Sequence, residues 1–326
     1  MALLKRLFRP AADLIVRLSA PLLAPMFSRV ARTGAGSEAC LRWGFLPMPV
    51  HYYSPVPDIR DLQQRRIWDR RSELAGLEFR PEAQLSWLAR LGGEYGGECR
   101  WPAHGAGTSG EFFTENNSFS FGCAASTHAV LRHFQPKRVI EIGSGFSSIV
   151  ISEALRKNGE DTTRQPPEYT IVDPYPGGGT GSWVPGEARL IERRVELLDF
   201  RFFETLSEND VLFIDSGHTV RTGGDVNFLY LEVLPRLNRG VVVHVHDVPL
   251  PGEYPEVYFT NARFRMFWTE AYLLQAFLCF NSAFEVLLAM GYLMESQPDA
   301  IRAAFPHFDP GIHRLESSSF WMRRTP

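Results

Sequence analysis

The 326-residue sequence has only four cysteines, Cys40, Cys99, Cys123 and Cys279, and no two of them form a CxxC pair. That spacing excludes a four-cysteine zinc site and a secreted disulfide framework, and it points to a reducing, cytoplasmic compartment. A charge excess is missing as well. The net charge is −3, with 22% charged and 44% hydrophobic residues, which excludes a polybasic nucleic-acid binder and a disordered chain. An uninterrupted apolar run of about 18 residues, the length of a spanning helix, is also lacking. In residues 1–32, Asp13 and Arg17 interrupt the apolar stretch, and Pro10, Pro21 and Pro25 are expected to divide it into short pieces. No bilayer-spanning segment is expected.

The charge that is present is unevenly placed. Lys5, Arg6, Arg9, Arg17, Arg29 and Arg32 face only Asp13 in the first 32 residues, a net +5 that leaves −8 for the remainder. Leu3, Leu4, Leu7, Leu14, Ile15 and Leu18 fall at helical spacings between these basic residues. Such an arm either packs on its own body or a second subunit of a homo-oligomer, or lies on an anionic membrane surface. The second case makes the protein peripheral on the inner membrane. The expected organisation is an arm at 1–32, a cap or extension at 33–111 and a single domain at 112–326. Within the extension one helix is expected at Pro81–Leu91, with loops at 92–97 and 103–110, both rich in glycine.

Beyond residue 120 helices and strands alternate. Helices are expected at Ala124–Phe134, Phe146–Arg156 (ended by Asn158-Gly159), Val226–Leu237 and Arg265–Phe280. Strands are expected at Arg138–Ile142, Tyr169–Val172, Ala188–Ile191, Val211–Ile214, Val241–Val245, Glu285–Ala289 and Ser319–Met322. This order predicts an α/β, Rossmann-like, doubly wound, seven-stranded and mostly parallel sheet, closed by an antiparallel edge hairpin.

In such a sheet a ligand binds at the carboxyl ends of the strands. The first strand runs into Glu141-Ile142-Gly143-Ser144-Gly145, whose glycines allow a tight turn and a close backbone approach. Ser148 stands where a GxGxxG pattern would have its third glycine. Glu141 would repel a pyrophosphate but is suited to an amino group. Asp173, ending the second strand, suits the hydroxyls of a ribose. After the third strand, Val195 and Glu196 fall where an adenine edge needs an apolar wall and a polar partner.

With AspPro after the second strand, PheIleAspSerGlyHis after the fourth and GlyValValValHisValHisAspVal at the fifth, the chain resembles a class I S-adenosylmethionine-dependent methyltransferase. More narrowly it resembles bacterial members of the methyltransferase-24 type family, over roughly residues 112–326. The resemblance implies S-adenosylmethionine as cofactor. Glu141, Gly143 and Gly145, with Ser144 between the glycines, would hold its methionine part, and Asp173 its ribose. It is nearly silent about the acceptor.

Methyl transfer to a hydroxyl needs a base, or a metal that lowers the hydroxyl's pKa. Asp215, His218, His246 and Asp247 stand at the ends of adjacent strands, and His218, as an unperturbed imidazole titrating near 6.5, is expected to act as the base, with Asp215 as its catalytic partner. Metal-dependent O-methyltransferases look similar here, although His246 departs from their usual aspartate. Asp215, Asp247 and His246 are therefore the expected ligands of a divalent ion, Mg²⁺ or Mn²⁺. His244 is expected to face away from His246 and to pack. Asn116–Phe119 are expected to offer amides to cofactor or substrate, and the Pro-rich segment 249–255 to form a lid. Trp268, Tyr272 and Phe277 read as core.

The expected function is O-methylation of a sugar or small natural-product hydroxyl, with a small-molecule or saccharide acceptor and no nucleic acid. An NAD-type oxidoreductase, or a cofactor-binding but inactive scaffold in a membrane-associated assembly, are the alternatives.

Overall fold

The computed structural model describes residues 2–161, 166–176, 183–262, 265–313 and 316–325. Seven strands form one sheet: β1 (Arg138–Ile142), β2 (Glu168–Val172), β3 (Arg189–Ile191), β4 (Val211–Ile214), β5 (Val242–Val245), β6 (Phe284–Ala289) and β7 (Phe320–Arg324). Their order is β3-β2-β1-β4-β5-β7-β6. The first five run parallel, and β7 is antiparallel to both β5 and β6. Every residue of β4 and β5 is buried, as expected of central strands covered on both faces. The order reverses between β1 and β4, so the ligand crevice of this sheet lies at their carboxyl ends.

The helices are α1 (Ala2–Thr33), α2 (Ser37–Arg42), α3 (Ile59–Gln64), α4 (Pro81–Tyr95), α5 (Phe121–Phe134), α6 (Phe146–Asp161), α7 (Asp225–Phe228), α8 (Glu256–Thr260), α9 (Glu270–Leu278), α10 (Met290–Ser296) and α11 (Pro298–Ala304). The chain divides into two compact units: Met1–Ile67 with Phe259–Phe267, and Trp68–Tyr258 with Trp268–Pro326. Helix α4 thus belongs with the sheet. Its Leu88 and Leu91 are buried in the common core with Leu131, Ile151, Phe213 and Trp321, roughly 1.5–3 kcal/mol for each such side chain.

Several local expectations gave way to tertiary contacts. Gly92 and Gly93 continue α4 instead of opening a loop. A Cβ on Gly92 would stand 2.4 Å from the Ala304 backbone of α11, so the glycine is there to let two helices touch. Helix α6 runs through Asn158-Gly159, because Asn158 is buried and donates to the Leu131 carbonyl (2.9 Å) while accepting from Arg132 (2.5 Å). The helix expected over Val226–Leu237 is α7 followed by a π turn (Leu229–Val233) and a 3-10 turn (Leu234–Arg236). Helix α9 begins at Glu270 rather than Arg265, since the N–H groups of Thr269 and Glu270 donate to the His218 carbonyl. The antiparallel edge is present, but α10 and α11 lie between its two strands, which are therefore not a tight hairpin.

In the first unit α1 is one continuous helix of 32 residues. The three prolines do not divide it. Its stretch Asp13–Thr33 is long and apolar enough to cross a membrane by length and composition, which corrects the expectation of short pieces. The side chains of Leu3, Leu4 and Leu7 lie outside the described residues.

Candidate active site

The loop after β1 is tied to both neighbouring strands. The Gly143 N–H donates to the Val172 carbonyl of β2 (3.0 Å), and the Asp215 N–H after β4 donates to the Ile142 carbonyl (2.9 Å). Gly143 has φ +91°, and a Cβ there would lie 2.3 Å from the Asp215 carbonyl oxygen, so both backbone and space demand glycine. Gly145 differs. A Cβ on it would meet nothing within 4 Å, so the protein's own packing does not require a glycine there. That open backbone face is what a ligand cradled by the loop would use.

Glu141 is placed differently from the expectation. Its carboxylate is wholly buried and accepts from Ser147 Oγ (2.7 Å), Ser148 Oγ (2.9 Å) and the Tyr169 hydroxyl. Burial raises its pKa to about 7 against the pull of those three hydroxyls. Glu141 therefore shapes the turn and the start of α6, and its carboxylate is turned toward these hydroxyls rather than exposed at the crevice. Ser148 also accepts from the Gly145 N–H (3.1 Å), a task that a third glycine could not perform. Asp173 does stand at the end of β2, half-buried, accepting from Ser144 Oγ and from the Tyr175 N–H (2.7 Å). Glu196 lies in the 3-10 turn after β3, where the Arg194 guanidinium holds its carboxylate (Nε 2.7 Å). The polar partner expected for an adenine edge is thus already ion-paired, beside the buried Val195.

The carboxyl ends of β4 and β5 bring together Asp215, His218 and Asp247. His218 Nε2 is 3.2 Å from Asp215 Oδ1 and 3.5 Å from Asp247 Oδ2. One ligand atom from each of the three lies within 4.8 Å of the others. The other ring nitrogen, Nδ1, is 2.8 Å from Glu270 Oε2 at the start of α9. His218 and Asp247 both adopt left-handed backbone, at φ 54° and 56°, a sparsely populated conformation that recurs at functional sites. Asp247 Oδ1 accepts from Ser318 Oγ (3.0 Å), which leaves Oδ2 toward the cluster.

The electrostatics of the cluster favour the charged form of His218. Burial opposes its charged form, but Asp215, Glu270 and Asp247 outweigh burial and hold its pKa well above the ordinary range. Asp215 is lowered: its burial works against the shift, and His246 and His218 carry it. The protein's own charges thus favour a protonated His218, and an ion ligated by Nε2 would have to displace that proton.

His246 is not part of the three-residue cluster. Its Nε2 faces the Ser118 carbonyl (3.3 Å) and is 3.8 Å from Asp247 Oδ1, while its ring lies over Phe119. Burial works against its charge, yet Asp247 and Asp215 raise its pKa to about 9. In the ligand set expected for a metal, His218 therefore takes the place of His246. His244 shares a face with His246, ring centroids 5.6 Å apart, because residues two apart on a strand point the same way. It packs nonetheless, stacked on Phe213 (3.8 Å) and bonded to Ser319 Oγ (2.9 Å).

The flanking segments also differ from expectation. Asn116 uses both ends of its amide on Phe113, Ser118 and Phe119 backbone, and so shapes the turn that presents the Ser118 carbonyl to His246. The 249–255 segment is fastened rather than lid-like. Trp68 Nε1 donates to the Tyr254 carbonyl (2.9 Å), the Ser72 N–H to that of Pro251 (2.8 Å), and the Ala271 N–H to the Tyr254 hydroxyl (2.8 Å). Trp268 precedes α9 and lies against His218, ring centroids 4.4 Å apart. Tyr272 is exposed, and Phe277 packs on Phe284. Glu270, Ser318 and Trp268 were missed as site residues, and only the acidic first turn of α9 hinted at Glu270. A cavity of about 250 Å³ lined by Leu77, Leu278, Phe280 and Phe284 lies at the opposite end of the sheet, where β6 begins.

Similarity to known proteins covers the segment that runs from β1 past β5. A family model described as a methyltransferase domain, of the methyltransferase-24 type, matches residues 140–248, the segment from β1 to just past Asp247. An uncharacterised protein of Archaeoglobus fulgidus is 31% identical over 169 residues, covering 49% of this chain and 74% of that protein. The crystal structure of a methyltransferase of Podospora anserina bound to S-adenosylhomocysteine aligns over 86% of this chain and all of that one, at 16% identity and a TM-score of 0.36. By the matched segment, the chain is a class I S-adenosylmethionine-dependent methyltransferase with a domain of the methyltransferase-24 type.

Proposed function

We propose that the protein methylates a hydroxyl of a sugar or small natural product, with a divalent cation beside the cofactor. The observation that carries this reading is the convergence of Asp215, His218 and Asp247 next to the glycine loop, with Gly143 packed on the Asp215 backbone.

The residues suit the cofactor: Gly145 has an open backbone face, and Asp173 offers a half-buried carboxylate one strand away. Gly143, Ser144, Gly145 and Asp173 are the residues proposed to hold it. They would fix the reactive methyl near the ends of β4 and β5, and positioning of this kind is worth several kcal/mol. Nicotinamide chemistry loses its support with the family assignment and with the structural work done by Ser148.

The donor set also suits a metal ion. Two carboxylates and one imidazole nitrogen converge, and Glu270 engages Nδ1 so that Nε2 faces the cluster, the carboxylate–histidine arrangement that orients metal ligands. A bound divalent ion would lower the pKa of the acceptor hydroxyl. A nitrogen ligand favours Mn²⁺ over Mg²⁺. Glu270 orients the His218 ring, and Ser318 fixes Asp247. Ligation through the Nε2 lone pair would displace the proton that His218 otherwise holds among its acidic neighbours, and the hydroxyl's proton would pass to the carboxylate of Asp215. Tyr258 and Trp268, partly exposed and 4.9 Å apart between centroids, offer an apolar wall for a sugar or aryl ring beside His218.

The test is calorimetric titration with S-adenosylmethionine, followed by transfer of labelled methyl to a panel of sugars, phenols and amines, with Mn²⁺ or with EDTA. Failure of the wild-type protein to bind the cofactor overturns the site. Full activity in EDTA overturns the metal, and transfer to amines alone overturns the hydroxyl acceptor.

A further inference from the structure

Helix α1 carries a feature that methyl transfer does not use. Its stretch Asp13–Thr33 has 21 residues; at about 1.5 Å per residue it matches the roughly 30 Å hydrocarbon core of a bilayer. Its large apolar side chains are exposed: Leu14, Ile15, Leu18, Leu22 and Met26 are 57%, 66%, 70%, 77% and 65% accessible.

The arrangement of these side chains separates a helix lying flat on a membrane from one immersed in it. A flat helix has one apolar side and one charged side. Between Arg17 and Arg29 no residue is charged. Leu18, Leu22 and Met26 occupy one side, while Leu23 and Phe27 stand about 140° round the helix from Leu18 and Leu22. Apolar residues on opposed sides, all exposed, mark a helix that needs an apolar surrounding on every side. Its charges sit toward the ends, with Asp13 and Arg17 one turn apart at one end and Arg29 and Arg32 at the other. From there the long arginine stems can reach the headgroups.

An independent feature lies just beyond the helix. Trp43, Tyr52 and Tyr53 are 85%, 94% and 87% accessible, with Phe45, Leu46 and Met48 exposed between them. Trp and Tyr concentrate where membrane meets water, one edge apolar and the other hydrogen-bonding. Residues 1–67 also carry ten Lys and Arg against four Asp and Glu, which complements anionic headgroups. We infer that residues 13–33 insert into an anionic phospholipid bilayer, with Trp43, Tyr52 and Tyr53 at its interface. The acidic catalytic unit is thereby tethered to the membrane.

The experiment uses the full chain, purified in detergent and diluted into vesicles of phosphatidylcholine with phosphatidylglycerol. Flotation is measured before and after alkaline carbonate, alongside sedimentation of the protein without vesicles. The wild type is expected to float and to resist carbonate. A Leu18→Asp/Leu22→Asp variant should float at least about tenfold less, given the cost of two acidic side chains in hydrocarbon. Both substitutions are at exposed positions, so affinity for S-adenosylhomocysteine should stay within about twofold, a readout separate from the membrane. Stripping by carbonate overturns insertion, and equal flotation of the variant overturns the role of the helix. A vesicle-indifferent oligomer that the variant dissolves assigns the helix to a second copy instead. Loss of residues 1–33 from the floated species, read by mass, also overturns the tether.

Discussion

Carboxylates stand at the end of β1 and at the ends of β4 and β5, and the two places treat them in opposite ways. Glu141 is surrounded by three neutral hydroxyl donors in full burial, and its pKa rises to about 7. Asp215 is no more exposed to the crevice by sequence, yet two histidines beside it hold its pKa below the usual range. Hydroxyls satisfy a carboxylate without requiring its charge, whereas cationic neighbours keep it charged. The first kind of site builds the loop. The second keeps ionised carboxylates at the strand ends, where the proposed cation and reacting hydroxyl would meet them.

The largest effect expected from breaking this contrast is on the charged side. Asp215→Asn should reduce methyl transfer by about 10²–10⁴-fold, the range for loss of a positioned acid–base group, while calorimetry shows S-adenosylhomocysteine affinity within a few fold. Cofactor binding lost in parallel would mean that Asp215 holds the loop instead. Glu270→Gln should cost about 10–100-fold in activity or Mn²⁺ affinity, the usual scale for a residue that orients a metal ligand. Added Mn²⁺ should restore part of that activity if Glu270 acts through His218.

The two loop glycines sharpen the comparison further. Gly143→Ala must place a side chain at positive φ against the Asp215 carbonyl, so it should lose at least about 2–3 kcal/mol in denaturant unfolding. Gly145→Ala should unfold like the wild type and bind the cofactor more weakly. Equal stabilities for the two variants would count against the open face assigned to Gly145.

The smallest effect on cofactor binding and activity is expected at Glu141, which acts on stability instead. A carboxyl whose folded pKa is raised favours folding most when protonated. Its contribution is full below the unfolded value of about 4.5 and is lost as pH rises through about 7. In urea melts across that window the wild type should lose on the order of 3 kcal/mol from this group, and Glu141→Gln should flatten the slope. Cofactor affinity should be nearly unchanged, and a large loss of affinity in Glu141→Gln would return the residue to direct contact.

The strands were legible because buried parallel strands are short unbroken apolar runs. Val211–Ile214 reads that way with no knowledge of its neighbours. The loop glycines and Asp173 were legible for the same local reason, since a turn after a strand has few chemical solutions. Helix ends were less so. Asn158-Gly159 carries a stop signal, yet a buried amide with partners on α5 outweighs a preference of about 1 kcal/mol. The start of α9 at the His218 carbonyl likewise depends on a group distant in sequence.

By itself the sequence determined the alternation of strands and helices, the glycine loop and the residue types at each strand end. These follow from local sterics and hydrophobic periodicity. Only the tertiary structure decided which carboxylate is buried among hydroxyls and which lies in the cluster at the strand ends, that His218 and not His246 joins the aspartates, and that Glu270 stands behind it. A side chain's charge state and reach depend on what folds against it, and those neighbours lie up to 52 residues away in the chain for His218 and Glu270. The prolines of α1 show the same division. Their local penalty is real, but the helix runs through them, and its exposed apolar surface becomes meaningful only as a continuous rod.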